Sequence, residues 1–363
     1  MGNAIPGRVE KEFELMRIFW FLCGNERVPS SRIHGINIHD KLRERGYASQ
    51  VVFKPYKYVN DLYFDPLSIA VIAACVKKED VVVIQKLAGP ETVKFMKRLK
   101  DKGVRVVFID CDLPLKADAA ALADLVVCPA EELKRKYEHA GEYRVLHIDD
   151  AVESSKPPVT GSVHKRRMVW FGKSGLGKWE AVQWLKTEIM PLVNDKWELV
   201  TVSDHPEATI QWQLDTVVDA INQSDLAVIP VPEGEYDAVK SANRCTQSLA
   251  LGVPVLCHYL PGYRDAIKDY SNGLVSNHIE EWITFIRTLE DDATLRIMKE
   301  NAFQSSKVFS MDMIINSWIS ALGLTKSNVP EHKLIKLITI AFAYYYRVRV
   351  WIYHAKRRFR QVG

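Results

Sequence analysis

The stretch VWFGKSGLGKWEAV, Val169 to Val182, decides how the rest of the chain is read. An apolar run breaks at Gly172, crosses a glycine-rich turn and resumes as a segment with Trp179, Val182 and Leu185 at helical spacing. The pattern is strand, loop, helix. Backbone N–H groups of such a loop, with the positive end of the helix behind them, attract phosphate. Gly172, Gly177 and Lys178 also stand at the G-x-x-x-x-G-K spacing of a P-loop. The next position, where a P-loop needs Ser or Thr for magnesium, is Trp179. No second acidic strand motif of an ATPase accompanies it. Three readings are open here: a true P-loop, a metal-free diphosphate site with Lys173 and Lys178 as its cations, or a glycine turn with solvated lysines.

Outward from this stretch, short β-rich runs alternate with helical patterns. Strands are expected at RIFWFLC, SQVVF, VVVIQ, VRVVFI, DLVVC and RVLHI in the first half, and at MVWFG, ELVTVS, DLAVIPV, VPVLCHY and GLVSN in the second. Between them lie amphipathic segments such as ETVKFMKRLKDKG, with Val93, Phe95, Met96 and Leu99 on one face and Gly103 as a stop. The alternation predicts an α/β protein with parallel sheets covered by helices. DDAVESSKPPVTGSVHKRR, polar and rich in Pro and Gly, reads as a linker. The expected organisation is a domain over 1–155, a second over 156–325 ending in a helix pair near 291–323, and a basic aromatic tail over 326–363.

With 363 residues, 47% hydrophobic and 26% charged, the composition is that of a folded globular protein of about two domains. The six cysteines form no C-x-x-C pair, and most lie in apolar runs, which fits buried thiols in a reducing cytoplasm. No histidine has metal-ligand spacing, so no metal site is expected. The first apolar run, MRIFWFLCG, has the length of a strand rather than of a signal peptide. Net charge is +4, but from Glu331 onward eight Lys and Arg face one Glu, so that end carries +7 and residues 1–330 carry −3. Affinity of the whole protein for nucleic acid is not implied.

A second signal lies in DLAVIPVPEGEYDAVKSANRCTQSLALGVPVLCHYLPGYRDAI. A strand ends at Pro230–Pro232, a polar loop follows, and a helix is expected from near Ser241 to Gly252. Ser241 would serve as N-cap, with Asn243 and Arg244 in the first turn. A helix end, an arginine and an amide would then meet an anion together. Both this loop and the Lys173 loop follow strand carboxyl ends, where open parallel sheets bind ligands.

On these residues the second domain resembles the donor-binding half of a GT-B glycosyltransferase, and is most similar to glycosyltransferase family 4 and its relatives in bacterial surface-polysaccharide synthesis. Lys173 and Lys178 occupy the places of the two basic residues that the family sets on the donor diphosphate. TQSLALGVPVL matches its glutamate-initiated helix running into G-x-P and a strand. The resemblance implies two Rossmann-like domains with parallel sheets facing a cleft, C-terminal helices, a nucleotide-sugar donor as substrate rather than cofactor, and transfer without an obligatory metal. The family's two glutamates, eight positions apart, are here Val239 and Gln247. Gln247 would bond a ribose more weakly than a carboxylate. The KSANR stretch resembles a divergent subgroup in which Lys240, Asn243 and Arg244 meet the donor, and Glu233 or Glu235 would substitute for the missing carboxylate.

The first domain is then the acceptor side. In NERVPSSRIHGINIHDKLRERGY, Ser30 or Ser31 is expected to cap a helix that buries Ile33, Ile36 and Leu42 and stops at Gly46. Arg32 and His34 at its start are site candidates; the plainer alternative is a capped helix with a surface arginine. Asp110 and Asp112, in VVFIDCDLP, would orient an acceptor hydroxyl or take its proton, or else cap the next segment. Lys86 ends another strand, where it would meet phosphate of a lipid-linked acceptor or pair with Asp110.

Glycosyl transfer to a glycan or lipid-linked acceptor is the leading expectation. A nucleotide-sugar epimerase of the same architecture, or a non-catalytic nucleotide- or glycan-binding member, are the alternatives. The tail HKLIKLITIAFAYYYRVRVWIYHAKRRFRQVG has an uncharged run of only ten residues, Leu337 to Tyr346, where a spanning helix needs about 20. Its tyrosines, Trp351 and flanking cations suit an anionic headgroup layer, which implies peripheral attachment to the inner face of the cytoplasmic membrane. Packing of the tail back onto the first domain is the alternative.

Overall fold

The computed structural model describes residues 16–64, 66–159, 165–175, 177–231, 235–324 and 332–341. By contacts it divides into two compact units: residues 1–108, 121–124 and 322–363, and residues 109–120 and 125–321. The strands are β1 (Arg17–Leu22), β2 (Ala48–Phe53), β3 (Val81–Gln85), β4 (Arg105–Ile109), β5 (Leu125–Cys128) and β6 (Val145–His147). They are followed by β7 (Arg166–Phe171), β8 (Trp197–Ser203), β9 (Ile210–Gln211), β10 (Leu226–Ile229), β11 (Val255–Cys257) and β12 (Gly273–Val275). They form two six-stranded parallel sheets, in the orders β2-β1-β3-β4-β5-β6 and β12-β11-β10-β7-β8-β9. The eleven strands expected from the sequence are all present. The twelfth, β9, is two residues long and leaves no apolar run to read.

The strands are apolar throughout because helices cover both faces of each sheet. Along β7 the period of two sends Val169 and Phe171 to one apolar cluster, with Val200, Ile229 and Val255. Met168 and Trp170 go to the other, with Trp179, Trp197 and Trp282. In each sheet the chain reverses its direction of strand addition once, between β1 and β3 and between β7 and β10. The carboxyl ends beside such a reversal are where open α/β sheets take their ligands.

The polar stretch read as a linker is, as far as residue 159, a strap held along the second unit. Val152 N–H donates to Phe309 O at 2.9 Å and Lys156 N–H to Ala250 O at 3.0 Å. Lys299 is buried against Asp225 at 2.8 Å and also donates to Val159 O at 3.0 Å. The helix pair expected near 291–323 is Asp292–Ser305 and Met311–Leu322. Within the first unit a helix over 333–341 follows His332, whose N–H donates to Gln50 Oε1 at 3.0 Å, and Ile335 is fully buried. The start of the basic tail is therefore docked, with Leu334, Leu337 and Ile340 exposed. Residues 342–363, with most of its aromatics and arginines, lie outside the described residues.

Candidate functional site

In the second unit the loop after β7 and the segment after β10 flank the strand reversal. Gly172 has φ 155°, outside the range that side-chain-bearing residues favour. A methyl group there would lie 3.8 Å from Arg244 Nη1, so the arginine lies directly against the glycine loop. Gly177, at φ 73°, turns the chain into the helix Lys178–Trp184. The loop is pinned where Ser174 N–H donates to Asp204 Oδ1 at 2.8 Å.

Trp179, at the place of the P-loop hydroxyl, is a core residue, stacked on His205 with ring centroids 3.9 Å apart and edge-on to Trp170. Its indole is committed to the core and offers no oxygen to a metal. The P-loop reading therefore fails on packing as well as on residue type.

Asn243 and Arg244 open the helix Asn243–Ala250, as expected, but Ser241 does not cap it. Ala242 holds the cap position, and Ser241 Oγ instead donates to the buried Asp150 at 2.6 Å. Arg244 Nη2 donates to Tyr263 Oη at 3.1 Å, which fixes the plane of the guanidinium. The Asn243 amide nitrogen is buried and has no hydrogen-bond partner among the described residues.

Lys178 is half-buried, and its pKa lies below the ordinary 10.5. Burial is the main cause, followed by the charges of Arg244 and Lys240; Asp237 and Asp112 oppose the shift. Three cations thus share one place with the carboxylates of Asp237 and Asp112. Lys173, in the same loop, is exposed.

Gln247 is not turned toward this cluster. Its Oε1 accepts from Glu153 N–H at 2.8 Å and Ser154 N–H at 3.3 Å, and its Nε2 donates to Ser154 O at 2.7 Å. The amide clamps the strap, with its oxygen and one of its two N–H donors in use. This also explains why glutamine stands where the resembled family has glutamate: a carboxylate has no N–H for the Ser154 carbonyl. Gln247→Glu is accordingly expected to cost about 1–3 kcal/mol, the penalty of an unsatisfied buried group. Chemical denaturation reads it, and an unchanged or raised midpoint would refute the clamp.

Asp110 and Asp112 follow β4 but do not act as a pair. Asp110 is fully buried and accepts from Tyr137 Oη at 2.6 Å, Cys111 N–H at 2.9 Å and Lys116 Nζ at 2.8 Å. Two contacts on Oδ1 and one on Oδ2 tie Asp110 into the fold, which gives it a structural role. Asp112 forms an ion pair with Lys240. It therefore belongs beside the cation cluster of the second unit, where the sequence reading had put it on the acceptor side.

In the first unit Arg32 and His34 are both buried, and they lie in a π-helical turn, Arg32–Ile36, between the helical segments Pro29–Ser31 and Asn37–Glu44. Neither serine caps this helix: Val28 holds the cap position, Pro29 starts it, and Ser31 Oγ donates to Gln85 Oε1 at 3.1 Å. Ile33, Ile36 and Leu42 are buried as expected, and Gly46 ends the helix at φ 86°. Arg32 Nη1 donates to Glu26 O at 2.8 Å, which commits part of its guanidinium to the preceding turn. Lys86 has φ 59°, a strained setting for a side-chain-bearing residue, and its ammonium lies 5.3 Å from the Tyr58 ring centre. Glu233 lies outside the described residues.

The sequence reading missed Tyr263, Asp237 and Asp204. Asp237 is in the quoted loop and could have been singled out by its carboxylate. Tyr263 and Asp204 are brought in only by the fold.

The same architecture occurs in solved glycosyltransferases. A glycosyltransferase from Rickettsia africae aligns with a TM-score of 0.61 at 12% identity, over 86% of this chain and 100% of its own. Anabaena HepE in complex with UDP and glucose aligns with a TM-score of 0.60 at 13% identity, over 85% and 100%. A mutant of S. aureus TarM in complex with fondaparinux, alpha-GlcNAc-glycerol and UDP aligns with a TM-score of 0.55 at 12% identity, over 71% of this chain. The chain spans 58% of TarM's length. The fold is GT-B. No protein-family model matches the chain, and no curated protein sequence matches it. At these identities the likeness is one of architecture, two sheets of six parallel strands with helices between them.

Proposed function

We propose that the chain is a glycosyltransferase that moves a sugar from a nucleotide-diphosphate donor to a glycan or lipid-linked acceptor in surface-polysaccharide synthesis, without a metal. One observation carries this reading: Lys178, Lys240 and Arg244 converge with the Asn243 amide nitrogen, buried and without a hydrogen-bond partner among the described residues, beside the strand reversal of the second sheet. A diphosphate brings negative charge to these cations and an acceptor to Asn243 together. The Arg244 fork suits two phosphate oxygens, Lys178 and Lys240 act as point charges, and Asn243 donates one hydrogen bond. As the sugar leaves, these fixed donors stabilise charge developing on the diphosphate, so catalysis is positioning and electrostatics. The UDP complexes of HepE and TarM support a nucleotide at this architecture. With Gln247 committed to the strap, Asp237 and Asp112 are the described carboxylates near the cluster.

The test is release of nucleoside diphosphate from a panel of nucleotide sugars with and without added acceptor. Release that depends on acceptor supports transfer. Conversion of donor alone points to an epimerase, and binding with neither reaction points to a non-catalytic module.

We further propose peripheral attachment to the cytoplasmic face of a membrane through the tail. Among the described residues no helix is long and apolar enough to cross a bilayer. Each Lys or Arg near an anionic surface contributes about 1 kcal/mol. The cut that tests this falls after Ala341, because a cut before the docked Ile335 would also strip a buried side chain from the first unit. The shortened protein is expected to stay in the supernatant with phosphatidylglycerol vesicles and to bind nucleotide unchanged. Continued pelleting with the vesicles would refute the proposal.

A further inference from the structure

Residues 240–242 lead into the helix Asn243–Ala250, and two groups outside the cation cluster fix their course. Ser241 Oγ donates to Asp150 Oδ2 at 2.6 Å, and Asp150 is only 5% exposed. Gly262, in the helix Pro261–Ala266, meets the same residues: a Cβ added there would lie 3.1 Å from Lys240 O and 3.7 Å from Ala242 N. The backbone of this lead-in therefore runs directly against the glycine. Tyr263, the next residue, holds Arg244.

The rest of the helix is secured elsewhere. Gln247 bonds to Glu153 and Ser154 from its middle, and Ala250 O accepts from Lys156 N–H at 3.0 Å at its end. Asp150 and Gly262 thus have a local task, the lead-in itself. That lead-in sets two donors of the proposed diphosphate site at once, Lys240 just before Ser241 and Asn243 two residues after it. The sign of the Asp150 charge is wrong for direct help, because a carboxylate repels a bound diphosphate. What it supplies is a hydrogen bond to Ser241 that charge makes about twice as strong as a neutral one.

We propose that Asp150 and Gly262 are positioning residues of the donor site. Asp150 acts through the Ser241 hydroxyl, and Gly262 acts by leaving room for the Lys240 carbonyl. Together they set the Lys240 ammonium and the Asn243 amide where a diphosphate meets both. A misplacement of about 1 Å is enough to cost a preorganised site much of its effect. The role rests on the diphosphate reading of the cluster.

Calorimetric titration of UDP, GDP, CDP and dTDP into the full chain tests it, with urea unfolding to confirm that each variant is folded. Asp150→Ala, Ser241→Ala and Gly262→Ala are each expected to weaken the tightest of these diphosphates by about tenfold. Asp150→Asn and Ser241→Thr, which keep an acceptor and a hydroxyl, should lie between wild type and alanine. A loss on removing Asp150 separates positioning from charge, since charge alone predicts tighter binding. Added to a Lys240→Ala, Asn243→Ala background, Ser241→Ala should cost less than about twofold more, because the groups it positions are gone. A hydroxyl that met phosphate itself would cost the same in both backgrounds. Unchanged or tighter binding in Asp150→Ala or Gly262→Ala, or an equal loss from Ser241→Ala in both backgrounds, overturns the proposal and spares the donor site. A wild-type chain that binds none of the four overturns the donor site, and this proposal with it.

Discussion

Lys178→Ala and Arg244→Ala are each expected to weaken nucleoside-diphosphate binding by roughly 10- to 150-fold, the loss of about 1.5–3 kcal/mol for a charge-assisted hydrogen bond. Arg244→Lys keeps the charge but loses the fork and the bond to Tyr263, so it should fall between wild type and alanine. Calorimetric titration reads both, and wild-type affinity in either alanine variant would sink the phosphate site.

The electrostatics add a pH dependence whose sign is fixed. Burial and the neighbouring cations lower the Lys178 pKa, so the folded, unliganded protein holds that proton less firmly than the unfolded chain does. Between the lowered value and 10.5 the unfolded state binds more protons, and the contribution of Lys178 to stability rises with pH. Diphosphate acts oppositely, since it holds the charged form. Its affinity should fall as pH rises through the lowered Lys178 pKa, with proton uptake on binding at alkaline pH.

The second large effect is one of stability. Asp110→Ala takes the acceptor from the buried Tyr137 hydroxyl and the Cys111 amide, and the carboxylate from Lys116, which keeps only its bond to Asp112 O. Removing one member of a buried, hydrogen-bonded charge pair costs about 3–5 kcal/mol. Urea unfolding should show the loss, with nucleotide affinity of the remaining folded protein unchanged. A variant of wild-type stability that has lost transfer would return Asp110 to the catalytic role expected of it from sequence.

The contrast between Asp110 and Asp112 shows where sequence reading stops. Both stand just after an apolar strand, and nothing in VVFIDCDLP separates them. Only the fold turns Asp110 to Tyr137 and Asp112 to Lys240. The strands were legible because burial on both faces writes itself as continuous apolar runs. The grouping of Lys178 with Arg244 was legible because two strand-to-helix loops of one parallel sheet must open on the same edge.

Side-chain commitments were not legible. Gln247 and Ser241 look like ligand residues by position, yet they bond to Ser154 and Asp150, about 90 residues earlier in the chain. The strap itself, polar and proline-rich, reads as a free linker because its fixing partners, backbone groups and side chains such as Gln247 and Lys299, lie far away in sequence. Trp179 was ambiguous for the opposite reason: its place in a near P-loop drew attention to phosphate, while its own role is core packing against Trp170 and His205.

Thermal unfolding of the full chain in EDTA, with and without UDP, GDP, CDP and dTDP, tests the metal-free diphosphate site most directly. At 100 times its dissociation constant, a diphosphate that occupies the site should stabilise the protein by about 2.7 kcal/mol, and Arg244→Ala should cut that to about 1.4 kcal/mol or less at the same concentration. No shift with any of the four, or a shift that appears only when magnesium is restored, would contradict the account.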